Sequence, residues 1–188
     1  MFNPRRARMG QPSIRRAELA LQRAHQLLNA GQPEEAAGIF HTLADGLGQR
    51  GMGVRAVMVR MQAAYAEALS NMPQPAIHSA SLALDNPAAA NRPMRIATAA
   101  ERVVEVLRQK GHEPEANDLE LKLDGLLQKA GTSRQKIRAQ LAAAGAQHHG
   151  ELPAKCPSCG GSLLPDEVEW HDASTASCTY CGSAVKAS

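Results

Sequence analysis

Apolar and polar positions repeat one arrangement three times along this chain. Ile14, Ala17, Leu21, Ala24 and Leu28 step by three and four, and after a short polar break Ala36, Phe40, Leu43 and Leu47 do the same. The pattern returns as Val57, Met61, Ala64 and Ala68 followed by Ala76, Ala80 and Ala83. It returns again as Ile96, Ala100, Val103 and Leu107 followed by Ala116, Leu119, Leu123 and Leu126. A period near 3.6 residues puts each set on one helical face. The breaks are alike too: Gly31-Gln32-Pro33-Glu34-Glu35-Ala36, Asn71-Met72-Pro73-Gln74-Pro75-Ala76 and Gly111-His112-Glu113-Pro114-Glu115-Ala116 begin 40 residues apart. Gly and Asn readily take the left-handed backbone that ends a helix. A Pro just beyond suits the first turn of the next. The pattern predicts three helical hairpins of 40 residues each. A seventh helix is predicted near Ser133 to Ala144, with Ser133 as its N-cap. One hairpin cannot bury its apolar face alone, so stacked units and a closing helix are expected.

With small residues at Ala24 and Ala64 on first helices and at Ala36, Ala76 and Ala116 on second helices, the stretch resembles a tetratricopeptide-type helical repeat. Phe40 also fits that pattern. The resemblance covers roughly residues 13 to 145 and implies an α-solenoid with a groove that holds a peptide or protein. There are departures: the period is 40 rather than the family's 34. Val104 replaces a small residue, and Glu67 and Glu120 fall where the family prefers large apolar side chains.

Composition agrees with helices. Aromatics make up 3% of the 188 residues, so Ala, Leu, Val, Ile and Met must fill the core, and Ala and Leu favour helix. The net charge of +3 does not by itself argue for nucleic acid. Charge does segregate. Spans 13–30, 50–70 and 91–110 sum to +2, +2 and +3, whereas 32–49, 73–86 and 113–130 sum to −3, −1 and −3. Two readings follow. The basic helices could attract an acidic partner. Alternatively, Asp45–Arg55, Asp85–Arg95 and Asp124–Arg134, each ten residues apart, could pair across unit junctions. Residues 1–12 read as a flexible basic tail with Arg5, Arg6 and Arg8, with no apolar run after them to suggest a signal peptide. No apolar stretch is long enough to span a bilayer. A cytoplasmic chain without membrane insertion is expected.

All four cysteines fall near the C-terminal end, after a linker (147–153) that contains His148 and His149. They read Cys156-Pro157-Ser158-Cys159-Gly160-Gly161 and, after eighteen residues, Cys178-Thr179-Tyr180-Cys181-Gly182-Ser183. Two thiolates spaced by two residues grip one metal from a tight turn. Gly after each pair lets the chain turn away in a left-handed conformation, and two such knuckles give a tetrahedral site. The predicted ligands are Cys156, Cys159, Cys178 and Cys181, holding one structural Zn2+. Iron fits the same sulfur set, and a dithiol redox role would need a thioredoxin-like setting. Residues 154 to 184 resemble a zinc ribbon. Between the knuckles, Val168-Glu169-Trp170 and Thr175-Ala176-Ser177 flank His171 to Ser174 as a hairpin. Trp170 is expected to pack over the site or to face a partner; His171 reads as a turn residue.

The expected fold is mainly α: three helical hairpins plus a closing helix (13–146), then a small β zinc ribbon (154–188). No catalytic or phosphate-loop motif is present, and a four-thiolate site is closed to substrate. The expected function is therefore a non-enzymatic protein–protein interaction adaptor or scaffold with a protein partner. The alternative is a nucleic-acid-associated factor using the ribbon or the basic tail. It is weakened by the acidic ribbon, where residues 151–188 carry two Lys against five acids, and by few aromatics to stack bases.

Overall fold

Helices end where the left-handed residues were expected. Gly31, Asn71 and Gly111 take φ of 74°, 59° and 84°. At each, that residue's N–H returns to the carbonyl three back and the next N–H to the carbonyl five back. The bonds are Gly31 to Leu28 (3.1 Å), Gln32 to Leu27 (2.9 Å), Asn71 to Ala68 (3.0 Å), Met72 to Glu67 (2.9 Å), Gly111 to Arg108 (2.9 Å) and His112 to Leu107 (2.8 Å). This pattern satisfies carbonyls that a helix end leaves open. Gly51 and Gly131, which the break pattern did not single out, end two further helices the same way at φ 73° and 71°.

The computed structural model describes residues 11–145, 151–165, 168–172 and 174–187. Arg5, Arg6, Arg8, His148 and His149 lie outside them. The helices are α1 (Gln11–Asn29), α2 (Pro33–Gln49), α3 (Gly53–Leu69), α4 (Pro73–Leu84), α5 (Pro93–Gln109), α6 (Glu113–Lys129) and α7 (Arg134–Gly145), with a 3-10 helix at Pro87–Asn91. Ser133 Oγ accepts from the Lys136 N–H at 3.3 Å and caps α7 as expected. Three short strands, β1 (Glu169–Asp172), β2 (Thr175–Ser177) and β3 (Ala184–Lys186), form an antiparallel sheet in that order. The third strand was not foreseen. Among the described residues no helix is long and apolar enough to cross a membrane.

Chain-neighbour helices from α1 to α6 pack on one another, α3 also meets α5, and α4 meets α6. The second and third hairpins sit in register. His112 Nε2 lies 2.8 Å from Asn71 Oδ1, Gln74 donates to Glu115 at 3.1 Å, and Lys122 donates to Ser81 at 2.7 Å. Each pair is 41 residues apart, so the units overlie with one residue of stagger. The first hairpin joins differently, through α2 against α3.

Central helix α3 explains the difference. Val57, Met61, Ala64 and Ala68, the predicted stripe, face the core shared with α4 to α7. Val59, Ala63 and Ala66 face a second core with α1, α2 and the ribbon. A helix buried on two sides carries two stripes, so the single stripe read from sequence was only half of its buried surface. In α5 the predicted Ile96, Ala100, Val103 and Leu107 are all fully buried. In α6 Leu127 is buried more completely than the predicted Leu126.

The expected junction ion pairs require correction. Arg134 binds Asp124 through bonds of 2.7 and 2.9 Å. Asp45 instead bonds Arg60, which lies farther along α3 where α2 packs. Arg95 leaves Asp85 and points to the ribbon, because the 3-10 helix occupies that junction. Two acids that depart from the repeat pattern make polar clamps. Glu67 is 6% exposed with Oε1 2.8 Å from His41 Nε2. Glu120 accepts from Arg108 at 2.8 Å and from Arg134 at 2.7 Å, and these partners, Arg108 foremost, hold its carboxyl below the usual range.

Burial phase along α6 gives a direct test. Leu123 is fully buried and the nearby Leu121 is 72% exposed. Leu123→Ala should lower unfolding free energy by about 2–5 kcal/mol, and Leu121→Ala should change it by less than about 0.5 kcal/mol, measured by urea denaturation.

Candidate metal centre

Two knuckles of nearly identical backbone bring the cysteines together. In the first, Gly160 N–H donates to Cys156 O and Cys156 N–H to Gly161 O, each at 2.8 Å. In the second, Gly182 N–H donates to Cys178 O at 2.9 Å and Cys178 N–H to Ser183 O at 2.8 Å. Gly160 and Gly182 take φ of 74° and 76°, so the glycine after each pair does what the spacing predicted. The sheet spaces the knuckles: Glu169 pairs with Ser177, Trp170 with Ala176 and Asp172 with Thr175 across β1 and β2. The hairpin between the knuckles is therefore present. The register shift between Trp170 and Asp172 leaves His171 at a bulge inside β1, not in a turn.

All four predicted ligands converge. The sulfurs of Cys156, Cys159, Cys178 and Cys181 lie within 4.8 Å of one another. Cys156–Cys181 and Cys159–Cys178 are each 3.7 Å apart, far beyond a disulfide bond. A regular tetrahedron with metal–sulfur bonds of about 2.3 Å has edges of about 3.8 Å, so this donor set fits a single metal ion. Three of the cysteines are buried and Cys181 is half-buried. His171 is not part of the cluster; its Nε2 lies 2.5 Å from Ser177 Oγ.

The close sulfurs shift one another's proton affinity. The Cys159 thiol is pushed up by its hydrogen bonds to the Cys178 and Cys181 sulfurs and by burial. Cys181 is pulled down by the hydrogen bonds it shares with Cys159 and Cys178. The packed sulfurs thus divide, Cys159 holding its proton and Cys181 giving its up, whereas a metal-coordinated thiol is deprotonated outright. Amides prepare the sulfurs for charge: Gly161 N–H donates to Cys159, Cys181 N–H to Cys178 and Ser183 N–H to Cys181.

The cluster does not stand apart from the helices, and here the structure adds residues that sequence reasoning missed. Helix α1 grips the first knuckle tip, and α1 and α5 together grip the second. Gln22 of α1 donates to Ser158 O at 3.0 Å. Arg95 of α5 donates to Cys178 O. Arg102 of α5 donates to the Tyr180 hydroxyl and lies over its ring, 5.3 Å from the centroid. His25 of α1 packs edge-on between Tyr180 (4.9 Å) and Phe40 (5.4 Å). Arg92 Nη1 lies 3.6 Å from Glu169. Ribbon residues Leu152, Leu163, Val168, Ala176 and Val185 share one core with Leu21, Ala24 and Phe40. Trp170, half-buried, packs against that core and donates to Pro165 O at 3.0 Å. The only sequence hint of this docking was charge: basic first helices and an acidic ribbon.

Compared with family models, curated proteins and solved structures, the chain matches none.

Two outcomes follow from this geometry. A Cβ at Gly161 would lie 2.4 Å from Tyr180 Cδ2, so Gly161→Ala must displace the ring. It should lower stability by about 1–3 kcal/mol and weaken metal retention, read by chelator competition; Gly38→Ala, on open surface, should not. His25 is 4% exposed, and burial lowers its pKa from 6.5 to about 4. Below pH 6.5 the unfolded chain takes up a proton that the folded chain refuses, so stability falls from there down to about pH 4 and then levels. The full loss is on the order of 3 kcal/mol. His25→Gln should flatten this part of the pH–stability curve, measured as the wild-type-minus-variant difference at pH 7 and pH 4.5.

Proposed function

We propose that this protein is a non-enzymatic adaptor: a tetratricopeptide-like helical stack stapled by one structural Zn2+ at Cys156, Cys159, Cys178 and Cys181. The observation that carries the reading is the closed four-sulfur cluster, with 3.7 Å edges matching a tetrahedral ion. Four protein ligands leave no position for substrate. When bound, zinc supplies the charge that holds four thiolates together and thereby folds the ribbon. It activates no water. The cysteines hold it, the Gly161, Cys181 and Ser183 amides orient the sulfurs, and the burial of three ligands excludes solvent.

The repeat part of the reading is supported by the 41-residue hydrogen-bond register between the second and third hairpins. The first-helix surface that the charge pattern offered to an acidic partner carries the chain's own ribbon at Gln22, His25, Arg95 and Arg102. A protein partner would therefore meet the outer helices or the ribbon itself. Zinc is preferred to iron, which fits the same sulfur set, because the spacing of the two cysteine pairs is that of a paired-knuckle zinc ribbon.

Purified chain should contain one zinc per molecule by plasma mass spectrometry, and Cys159→Ser should lose most of it. Tagged chain should recover a stoichiometric protein that survives nuclease. Recovery of nucleic acid alone, or a salt-dependent shift of DNA or RNA, would replace the adaptor reading with the nucleic-acid one.

A further inference from the structure

We propose that Arg95, supplied by α5 some eighty residues away in sequence, is an outer-sphere residue of the metal centre, so that metal occupancy and ribbon docking are one coupled equilibrium. The inference rests on the metal reading above and deepens it.

A divalent ion with four thiolates carries a net charge of −2, and such a centre needs compensation when it is buried. Arg95 is placed to give it. Its guanidinium donates to Cys178 O, the carbonyl that also accepts the Gly182 N–H, so it grips the knuckle that carries two ligands. It packs directly against the knuckle: a Cβ at residue 182 would be in ordinary van der Waals contact with Arg95 Nη1, at 3.5 Å. Cys178 and Cys181 both act on it through space, as does Glu169. The arrangement is costly without the centre's charge. Arg95 is half-buried and its Nε has no hydrogen-bond partner, and an unsatisfied buried donor opposes folding. An arginine cannot escape by losing its proton.

Coupling then runs both ways. Emptying the site removes the charged centre that the Arg95 guanidinium packs against, leaving a half-buried cation without it. Docking weakens, and Gln22, His25 and Arg102 lose their contacts with Ser158 and Tyr180. Conversely, removing Arg95 leaves the charged centre less compensated and lowers metal affinity. Linkage requires the two effects to be equal.

The test uses the full chain with zinc as the probe. Arg95→Gln should weaken zinc binding 10–100-fold in competition with a chromophoric chelator, the range for loss of an outer-shell partner. Arg95→Lys, which keeps the charge, should lose less. Arg138→Gln breaks a pair with Glu101 on the side of α5 that meets α7 and should bind as the wild type does. In the wild type, zinc removal should shift the NMR resonances of Gln22 and His25, neither of which is a ligand. The coupling is wrong if Arg95→Gln binds zinc as tightly as the wild type with helical circular dichroism intact. It is also wrong if the Lys and Gln variants are equally weak, or if chelation collapses the ribbon signals and leaves Gln22 and His25 unmoved. A wild-type chain that takes up no zinc would instead sink the metal reading itself.

Discussion

Four cysteine sulfurs held within 4.8 Å of one another are the constraint around which the C-terminal ribbon is built. Thiolates at that distance repel, and thiols at that distance waste donors on one another. A small module with a three-stranded sheet and few apolar side chains has little else to hold it. A cation at the centre would resolve both problems, and the cluster has the sulfur spacing to hold one. Gly160 and Gly182 turn the chain away, backbone amides point at sulfur, and Gly161 leaves room for the Tyr180 ring. Tyr180 then carries the contact outward to His25 and Arg102.

Through those contacts the ribbon becomes part of the helical core. The segregated charge of the helices finds its use here. Arg92, the N-cap of α5, and Arg95 and Arg102 within it recur at spacings of three and seven, and all three engage the ribbon. Two outcomes were open for the basic first helices: an external partner or pairing across unit junctions. At α5 the structure gives a third, an internal acidic partner. At the third junction, pairing does occur, between Asp124 and Arg134.

Helix α3 joins the two cores. Its Val57, Met61, Ala64 and Ala68 side serves the second and third hairpins, and its Val59, Ala63 and Ala66 side serves the first hairpin and the ribbon. Alanine at most of these positions lets neighbouring helices approach closely on both sides. A change in the ribbon therefore reaches the other helices through α1, α3 and α5. If the chain is an adaptor, its metal site sets which helical surface is left for a partner.

Local physics made much of this legible before any coordinates. Left-handed turns at Gly31, Asn71 and Gly111, the cap at Ser133, the knuckle glycines and the two cysteine pairs each follow from residues within six positions of one another. Periodicity located the helices for the same reason, since a helix is set by its own i, i+4 neighbours. What needed tertiary structure was every choice between partners far apart in the chain. Arg95 could have paired with Asp85 ten residues away; it binds Cys178 instead, 83 residues away. Asp45 takes Arg60 rather than Arg55 because α2 lies against α3 along its length. His25, an unremarked histidine in the sequence, became a buried neutral ring only once Phe40 and Tyr180 closed on it. The sequence alone thus determined the helices, their turns and the sulfur ligands, because short-range geometry decides them. Only the tertiary structure decided what the basic helices face, because several partners of similar charge were available and packing selected among them.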